Sequence, residues 1–448
     1  SGTTADPKGI LLTHRNYTAN VEQAHSVIGV DENDKMLIIL PLDHCFAHVA
    51  GFYTMMSYGA SFGTVPSGKS GKEALRNIPV SIKEFKPNVM LSVPTLAKSF
   101  KKNIENTIAK SGKTVEKLYN FALRNAIAYN KEGYNKGTEF VDIFRKPLMC
   151  LFDKIIFKKV REGLGGQMKF FVGGGALLDI DLQRYYYAIG IPMYQGYGLS
   201  EATPIISANS PAKHIFGSSG KVVSPMEIKI LDADGVEQPF GVKGEICIKG
   251  ENVMAGYWKN PKSTADTVID GWLHTGDMGY MRDAEMLYVV GRFKSLLIAA
   301  DGEKYSPEGI EENLVENSKY IDGALLHNSQ DPYTIALVTP NKEALRNYAK
   351  ELGLDPASQE AKEKMLLLIE SEVNAYRKGG KFAGTFPDRW LPAAICVLPE
   401  PWTEQNHFLN SSMKVVRGRV EEAYKENMAF AYTTEGKSVI NKMNLASL

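Results

Sequence analysis

The chain has 448 residues, with 52 Lys and Arg against 51 Asp and Glu and a formal net charge of +1. No global field therefore draws it to nucleic acid, and none is expected as a partner. Its 44% hydrophobic content supports substantial cores, and its length suits two or three domains.

The first segment, Ser1-Gly2-Thr3-Thr4-Ala5-Asp6-Pro7-Lys8-Gly9, combines glycine and hydroxyl residues with a following lysine, as a mobile phosphate-holding loop requires. The same residue types also make ordinary surface turns. Further on, the apolar runs 35–40, 89–93 and 169–172 alternate with longer helix-like stretches. That rhythm predicts a mainly parallel α/β core with buried strands.

Between the first two runs, Gly63-Thr64-Val65-Pro66-Ser67-Gly68-Lys69-Ser70 matches the Gly-x-x-x-x-Gly-Lys-Ser pattern of P-loop ATPases. That pattern needs a strand before it and a helix after it. Ala60-Ser61-Phe62 makes a poor strand, Ile78-Pro79 interrupts the stretch where the helix should lie, and no acid-ending strand downstream supplies a magnesium ligand. A P-loop ATPase is accordingly the runner-up.

Residues 148–160, Leu-Met-Cys-Leu-Phe-Asp-Lys-Ile-Ile-Phe-Lys-Lys-Val, form a basic amphipathic stretch able to rest on an anionic membrane surface. An apolar stripe with solvated lysines more often packs on its own core, and that reading is preferred. Gly173-Gly174-Gly175-Ala176-Leu177-Leu178 follows a strand but lacks the last glycine of a dinucleotide fingerprint. Strand-like Ile191-Pro192-Met193-Tyr194 then runs into Gly196-Tyr197-Gly198-Leu199-Ser200-Glu201. An aromatic beside glycines, then a hydroxyl and a carboxylate, can stack a base and hold a metal. Taken alone, the aromatic is more readily a core residue and the carboxylate a helix-start charge.

From about Gly217 the strands become short and are separated by turn residues such as Asp234-Gly235, which predicts a β-rich subdomain over 217–293. It includes Gly271-Trp272-Leu273-His274-Thr275-Gly276-Asp277 and ends near Gly291-Arg292-Phe293-Lys294-Ser295. Beyond it, a helix over 360–377 and strands at 334–338 and 394–398 predict a separate α+β lid. The four cysteines, Cys45, Cys150, Cys247 and Cys396, are too widely spaced for a metal-type pair and read as reduced thiols, which favours the cytoplasm. No run of spanning length or secretory leader is visible, and Ala446-Ser447-Leu448 misses the peroxisomal signal.

The loop at 1–9, the segments 196–201, 271–277 and 291–295, and Ser411-Ser412-Met413-Lys414-Val415-Val416-Arg417 together, in this order, resemble the signatures of the adenylate-forming (acyl-activating) superfamily. Residues 151–209 look most like long-chain fatty-acid CoA ligases. The resemblance implies an α/β chain with a large adenylate-forming domain over 1–293 and a small mobile α+β lid over 294–448, rotating about a hinge at Lys294. Relatives carry a substantial segment before the phosphate loop, so it also implies a chain incomplete at its N-terminus, expected to be inactive or poorly stable alone.

The activity implied is ATP-dependent conversion of a fatty acid to acyl-adenylate with pyrophosphate release, followed by transfer to CoA. In that scheme Ser1, Gly2, Thr3, Thr4 and Lys8 hold the departing phosphates. Gly174, Gly175, Ala176, Gly196, Tyr197 and Gly198 line the adenine side, Ser200 approaches the α-phosphate, and Glu201 binds Mg²⁺. Asp277 and Arg292 take the ribose, His44 of Pro41-Leu42-Asp43-His44 gates the carboxylate pocket, and Gly302 lines the CoA tunnel. Lys414 neutralises charge between carboxylate and α-phosphate.

The chain departs from the family at Ala5, Ser200 and Lys294, where glycine, threonine and aspartate are usual, and at Pro307-Glu308-Gly309-Ile310-Glu311, whose glutamates are assigned no role. Loading of a carrier protein remains an alternative, although no Gly-Gly-(Asp/His)-Ser attachment segment is present. So does a non-catalytic nucleotide-binding protein, against which Lys8, Glu201 and Lys414 speak.

Overall fold

The computed structural model describes residues 8–66, 71–133, 136–292, 296–409 and 415–448. Ser1, Gly2, Thr3, Thr4, Lys294 and Lys414, and residues 67–70 of the second phosphate-loop candidate, lie outside the described residues. Gly9–Val290 and Gly291–Leu448 form separate compact units.

In the first unit a short strand, β1 (Ile10–Leu11), precedes β2 (Lys35–Ile38), β3 (Ser61–Thr64), β4 (Val89–Ser92), β5 (Phe170–Gly173) and β6 (Met193–Gly198). The last five lie side by side in the order β3-β2-β4-β5-β6 and all run parallel. Successive residues of a strand point to opposite faces, and here both faces are apolar. Leu37, Met90, Phe171 and Met193 enter one core with Ile82, Tyr185 and Tyr186 from the flanking helices. Met36, Val89, Leu91, Phe170, Val172 and Tyr194 enter the other with Ala47, Val49 and Met55. A sheet buried on both faces explains why these strands read as continuous apolar runs.

The structure corrects one expectation. Ser61–Thr64 is a strand, Gly63 being paired with Leu37, and Gly71–Phe85 is a helix with Pro79 inside it. Burial of Ile78 and Ile82 against Leu37 and Met90 outweighs the hydrogen bond that proline removes. The P-loop pattern therefore does have the strand and helix expected around it. Its first glycine, however, is held inside an edge strand of the sheet, whereas a phosphate loop needs it free after the strand.

After β6 the sheet turns antiparallel. β7 (Ile205–Ala208), β8 (Gly220–Val222), β9 (Glu227–Leu231), β10 (Gly244–Lys249), β11 (Gly256–Tyr257), β12 (Val268–Ile269), β13 (Trp272–Met281) and β14 (Met286–Arg292) come next in the chain. Seven strands run in the order β6-β7-β8-β14-β13-β10-β9, while β12 pairs β13 and β11 pairs β1. Ile246, Ile248, Leu273 and Leu287 make the core of this part.

In the second unit, β15 (Leu297–Ile298) and β16 (Lys304–Tyr305) form a hairpin, and β17 (Ile321–His327), β18 (Ile335–Pro340) and β19 (Ala394–Val397) form a three-stranded sheet. The helix expected over 360–377 spans Gln359–Asn374 and buries Met365, Leu366, Ile369 and Val373. Just beyond its end, the Arg377 guanidinium donates to the carbonyls of Leu391 and Pro392.

Leu91 is fully buried at the centre of the parallel sheet. Leu91→Ala is expected to cost about 3 kcal/mol through lost transfer energy and the cavity left behind, read as a lower denaturation midpoint with an unchanged m-value.

Candidate active site

In a parallel α/β sheet, ligands collect where the carboxyl ends of the strands open into loops. Here β2 leads into Pro41–Cys45, β5 into Gly174–Ala176, and β6 into Leu199–Glu201, so three segments singled out in the sequence leave the sheet at one edge. His44 is exposed at the first exit, with its ring Nδ1 accepting the Phe46 backbone N–H at 3.2 Å. That bond leaves Nε2 as the ring nitrogen carrying hydrogen in the neutral form. The first and third exits are joined by the buried Cys45 thiol, which donates to Ser200 Oγ at 3.4 Å. His48, by contrast, packs among Tyr17, Phe52 and Tyr53.

The second exit is stapled by Gln195, a residue that carries no signal in the sequence. Its buried side chain accepts the Leu178 N–H at 2.6 Å and donates to the Ala176 carbonyl at 3.3 Å. Gly175 and Ala176 stay exposed on the loop it holds. Gly198, at the end of β6, is where glycine is indispensable, since a Cβ there would lie 2.0 Å from the Pro204 carbonyl oxygen.

Two phenol–carboxylate bonds organise the third exit. Tyr197 donates to Asp277 Oδ2 at 2.7 Å, across 80 positions of sequence. Tyr257 donates to Glu201 Oε1 at 2.9 Å. Burial first, and the Glu201 charge second, raise the Tyr257 hydroxyl above the ordinary phenol range, so it remains a donor at physiological pH. Tyr257 is not among the residues that the sequence singles out. Its only signal is its place on β11, which pairs with the strand directly after the opening loop: Ile10 lies opposite Tyr257, and Gly9 accepts the Trp258 N–H at 2.7 Å. Lys8 immediately precedes that glycine.

Asp277 is 3% exposed, and its stretch of β13 is held by side chains of β10 and β13. Glu245 accepts the Gly276 N–H at 3.0 Å and meets His274 Nδ1 at 2.8 Å, with Cys247 Sγ 3.4 Å from the same nitrogen. These three donor atoms lie within 4.8 Å of one another, on neighbouring strands β10 and β13. Their visible work is to fix the backbone of β13 just ahead of Asp277.

In the second unit, Arg292 ends β14, and Gly302 sits at the tip of the β15–β16 hairpin with φ +85° and open space around it. Arg417, three residues beyond Lys414, donates to Glu311 Oε1 and to the Leu326 carbonyl, both at 2.6 Å. Glu311 is thereby a structural anchor for the segment that ends the last signature. Ser1, Gly2, Thr3, Thr4, Lys294 and Lys414 fall outside the described residues, and their roles stand as expectations.

Residues 1–258 match the family model described as AMP-binding enzyme. The chain is 30% identical over 442 residues to long-chain-fatty-acid–CoA ligase 5 of Mus musculus, covering 96% of the chain and 61% of that protein. It is 26% identical over 467 residues to the chloroplastic long-chain-fatty-acid–[acyl-carrier-protein] ligase AEE15 of Arabidopsis thaliana, covering 97% of the chain and 60% of that protein. The chain thus spans about three fifths of the length of these curated relatives. Among solved structures, the O-succinylbenzoate CoA synthetase of Bacillus subtilis in complex with ATP and magnesium superposes with a TM-score of 0.60 at 21% identity, over 94% of this chain and 68% of that one. That likeness shows a shared fold.

The cysteines give a direct check on this packing. Burial raises the Cys45 thiol against its bond to Ser200, pushes Cys247 up to about 12 with help from Glu245, and pushes Cys396 up to about 12; Cys150 is exposed. Since the thiolate is the nucleophile, iodoacetamide at pH 8 is expected to modify Cys150 well ahead of the other three in the native protein. Peptide mass spectrometry reads the order, and early modification of Cys45 or Cys247 would contradict the site geometry.

Proposed function

The chain belongs to the AMP-binding enzyme family, and we propose that it activates a fatty acid with ATP, releasing pyrophosphate, and then passes the acyl group from AMP to the thiol of CoA. The observation that carries this reading is the meeting of Tyr197 with Asp277 and of Tyr257 with Glu201 at the carboxyl edge of the sheet. An aromatic ring and two anchored carboxylates in that position suit a nucleotide with its ribose and its metal. A long-chain acid is favoured because both curated relatives carry that substrate class in their names.

On this reading Tyr197 stacks on adenine beside Gly174, Gly175, Ala176, Gly196 and Gly198, while Asp277 and Arg292 receive the ribose hydroxyls. Ser1, Gly2, Thr3, Thr4 and Lys8 hold the β- and γ-phosphates, and Ser200 faces the α-phosphate. Magnesium, when bound, offsets phosphate charge; Glu201 fits it as a hard anionic ligand, one oxygen being oriented by Tyr257. Lys414 bridges the carboxylate and the α-phosphate, a charge placed where negative charge develops. His44 gates the acid. Rotation of the lid, residues 294–448, about Lys294 then presents the Gly302 turn to the pantetheine arm, and Gly302 gives that arm an unobstructed backbone.

No covalent enzyme intermediate is required: the carboxylate oxygen attacks the α-phosphorus as pyrophosphate leaves, and the CoA sulfur attacks the acyl carbon as AMP leaves. The likeness to AEE15 supports a second reading, in which the acceptor is the phosphopantetheine thiol of a carrier protein.

Pyrophosphate release measured across acids of graded chain length decides the first step. Release that depends on a long-chain acid is expected, and none with any acid would overturn the enzyme reading; AMP release on adding CoA rather than acyl carrier protein assigns the acceptor. Glu201→Gln should slow adenylation with the fold intact, and Tyr257→Phe, which removes only the orienting bond, should weaken it less. Equal turnover and magnesium dependence in wild type and Glu201→Gln would move the metal elsewhere. Lys414→Ala should slow adenylate formation about 10²-fold or more while leaving thioester formation from supplied acyl-adenylate near normal, as single-turnover assays of each step will read.

A further inference from the structure

The helix Asp142–Phe152, continued by Asp153–Phe157 and Lys158–Gly163, is apolar on the side that faces solvent as well as on the side that faces the protein. Its inner face is ordinary: Phe152 and Phe157 are buried, and Leu148, Met149, Ile156 and Val160 pack on the same core. Its outer face carries Phe144, Pro147, Leu151 and Ile155, at spacings of three and four residues that put them in one line along the helix. Phe140 extends the line before the helix starts, 77% exposed against 70% for Phe144, and their rings meet edge to face at 6.2 Å. Ile143 stands beside them, and Phe121 of the neighbouring helix, also exposed, adjoins through Phe152 at 5.8 Å. The expectation that this stretch turns its stripe inward and only lysines outward is therefore incomplete, because a second stripe faces out.

The charges around that stripe select what covers it. Asp142 is taken up by Arg145 at 3.1 Å and Lys131 at 3.6 Å, and Asp153 by Arg161 at 2.6 Å. Glu139, beside Phe140, lies 3.3 Å from Lys131 and 3.8 Å from Arg145, and the exposed Lys146, Lys154, Lys158 and Lys159 outnumber the exposed Glu162, giving the segment a net positive rim. Protein interfaces deplete lysine around their apolar centres. A headgroup layer instead accepts aromatic and aliphatic side chains at its acyl boundary while lysines reach up to anionic groups. No helix among the described residues is long and apolar enough to cross a membrane.

We propose that this outward face, from Phe140 to Ile155, docks the protein on the surface of an anionic lipid bilayer. The inference rests on the helix alone and holds whatever acid the active site takes.

Co-sedimentation of the full chain with vesicles of phosphatidylcholine alone, and of phosphatidylcholine with phosphatidylglycerol, tests it. Binding to the anionic vesicles that weakens with salt is expected, and Phe140→Ser with Phe144→Ser should reduce it at least about tenfold. Both side chains are already exposed, so the double variant should keep its unfolding midpoint. Phe240→Ser, at an exposed phenylalanine on a different surface loop, should bind like wild type. A bimane probe on Cys150, exposed on the same helix, should shift to the blue when anionic vesicles are added. No sedimentation with either vesicle, or equal sedimentation of the double variant, would overturn the proposal. So would a dimer in light scattering that the double variant turns into a monomer, since a second copy would then cover the face.

Discussion

The register of the four strands β2, β4, β5 and β6 is the constraint on which the candidate site depends. Each alternates side chains between two cores, as with Val89, Met90 and Leu91 or Phe170, Phe171 and Val172. A slip of one residue would exchange the two sets and misfit both cores at once. With slippage closed off, the chain leaves the sheet at Ile38, Ser92, Gly173 and Gly198 along one edge. The positions of His44, Gly175 and Glu201 result from this lock more than from any contact they make themselves.

Crowding at that edge sets the residue types. The chain reverses from β6 into β7 so sharply that Gly198 meets the Pro204 carbonyl with no room for a Cβ. Two carboxylates are then kept at this crowded edge by phenols. A hydrogen bond to a charged acceptor contributes about 1.5 to 3 kcal/mol, and it orients a carboxylate without neutralising it. Glu201 and Asp277 are therefore anchored by donors that carry no charge, which leaves a polyanionic nucleotide dependent on cations supplied from elsewhere. In the proposed reaction those cations are magnesium, Lys8 and Lys414.

Local repetition is the part of this molecule that its sequence displays. Buried strands such as 89–93 appear because a short run of apolar side chains has few alternatives in an α/β chain, whereas Tyr197, Ser200 and Glu201 stand out only through the resemblance of the whole series of segments to one family. Tyr257, Gln195 and Glu245 stay hidden for one shared reason: each acts on a backbone group or side chain distant in sequence, and a lone tyrosine, glutamine or glutamate carries no local pattern. The second phosphate-loop candidate misleads in the opposite direction. Its flanking strand and helix exist because Ile78 and Ile82 are wanted by the core, so local propensity at Pro79 is overridden by tertiary burial.

The last signature shows how these two kinds of information combine. Lys414 is conspicuous only as part of a family pattern, while Arg417 looks like any surface cation. In the folded unit Arg417 is bound to Glu311 and to the Leu326 carbonyl, and Glu311 also accepts the Leu326 N–H at 2.6 Å. A half-buried arginine bound to one carboxylate and one carbonyl has its cost of desolvation offset only if both partners stay in place. That requirement ties the chain after Lys414 to the start of the helix Glu308–Glu316 and to β17. In the proposed reaction, where one cleft serves two successive steps, an anchor three residues past Lys414 gives the lid a fixed point from which that lysine can be carried.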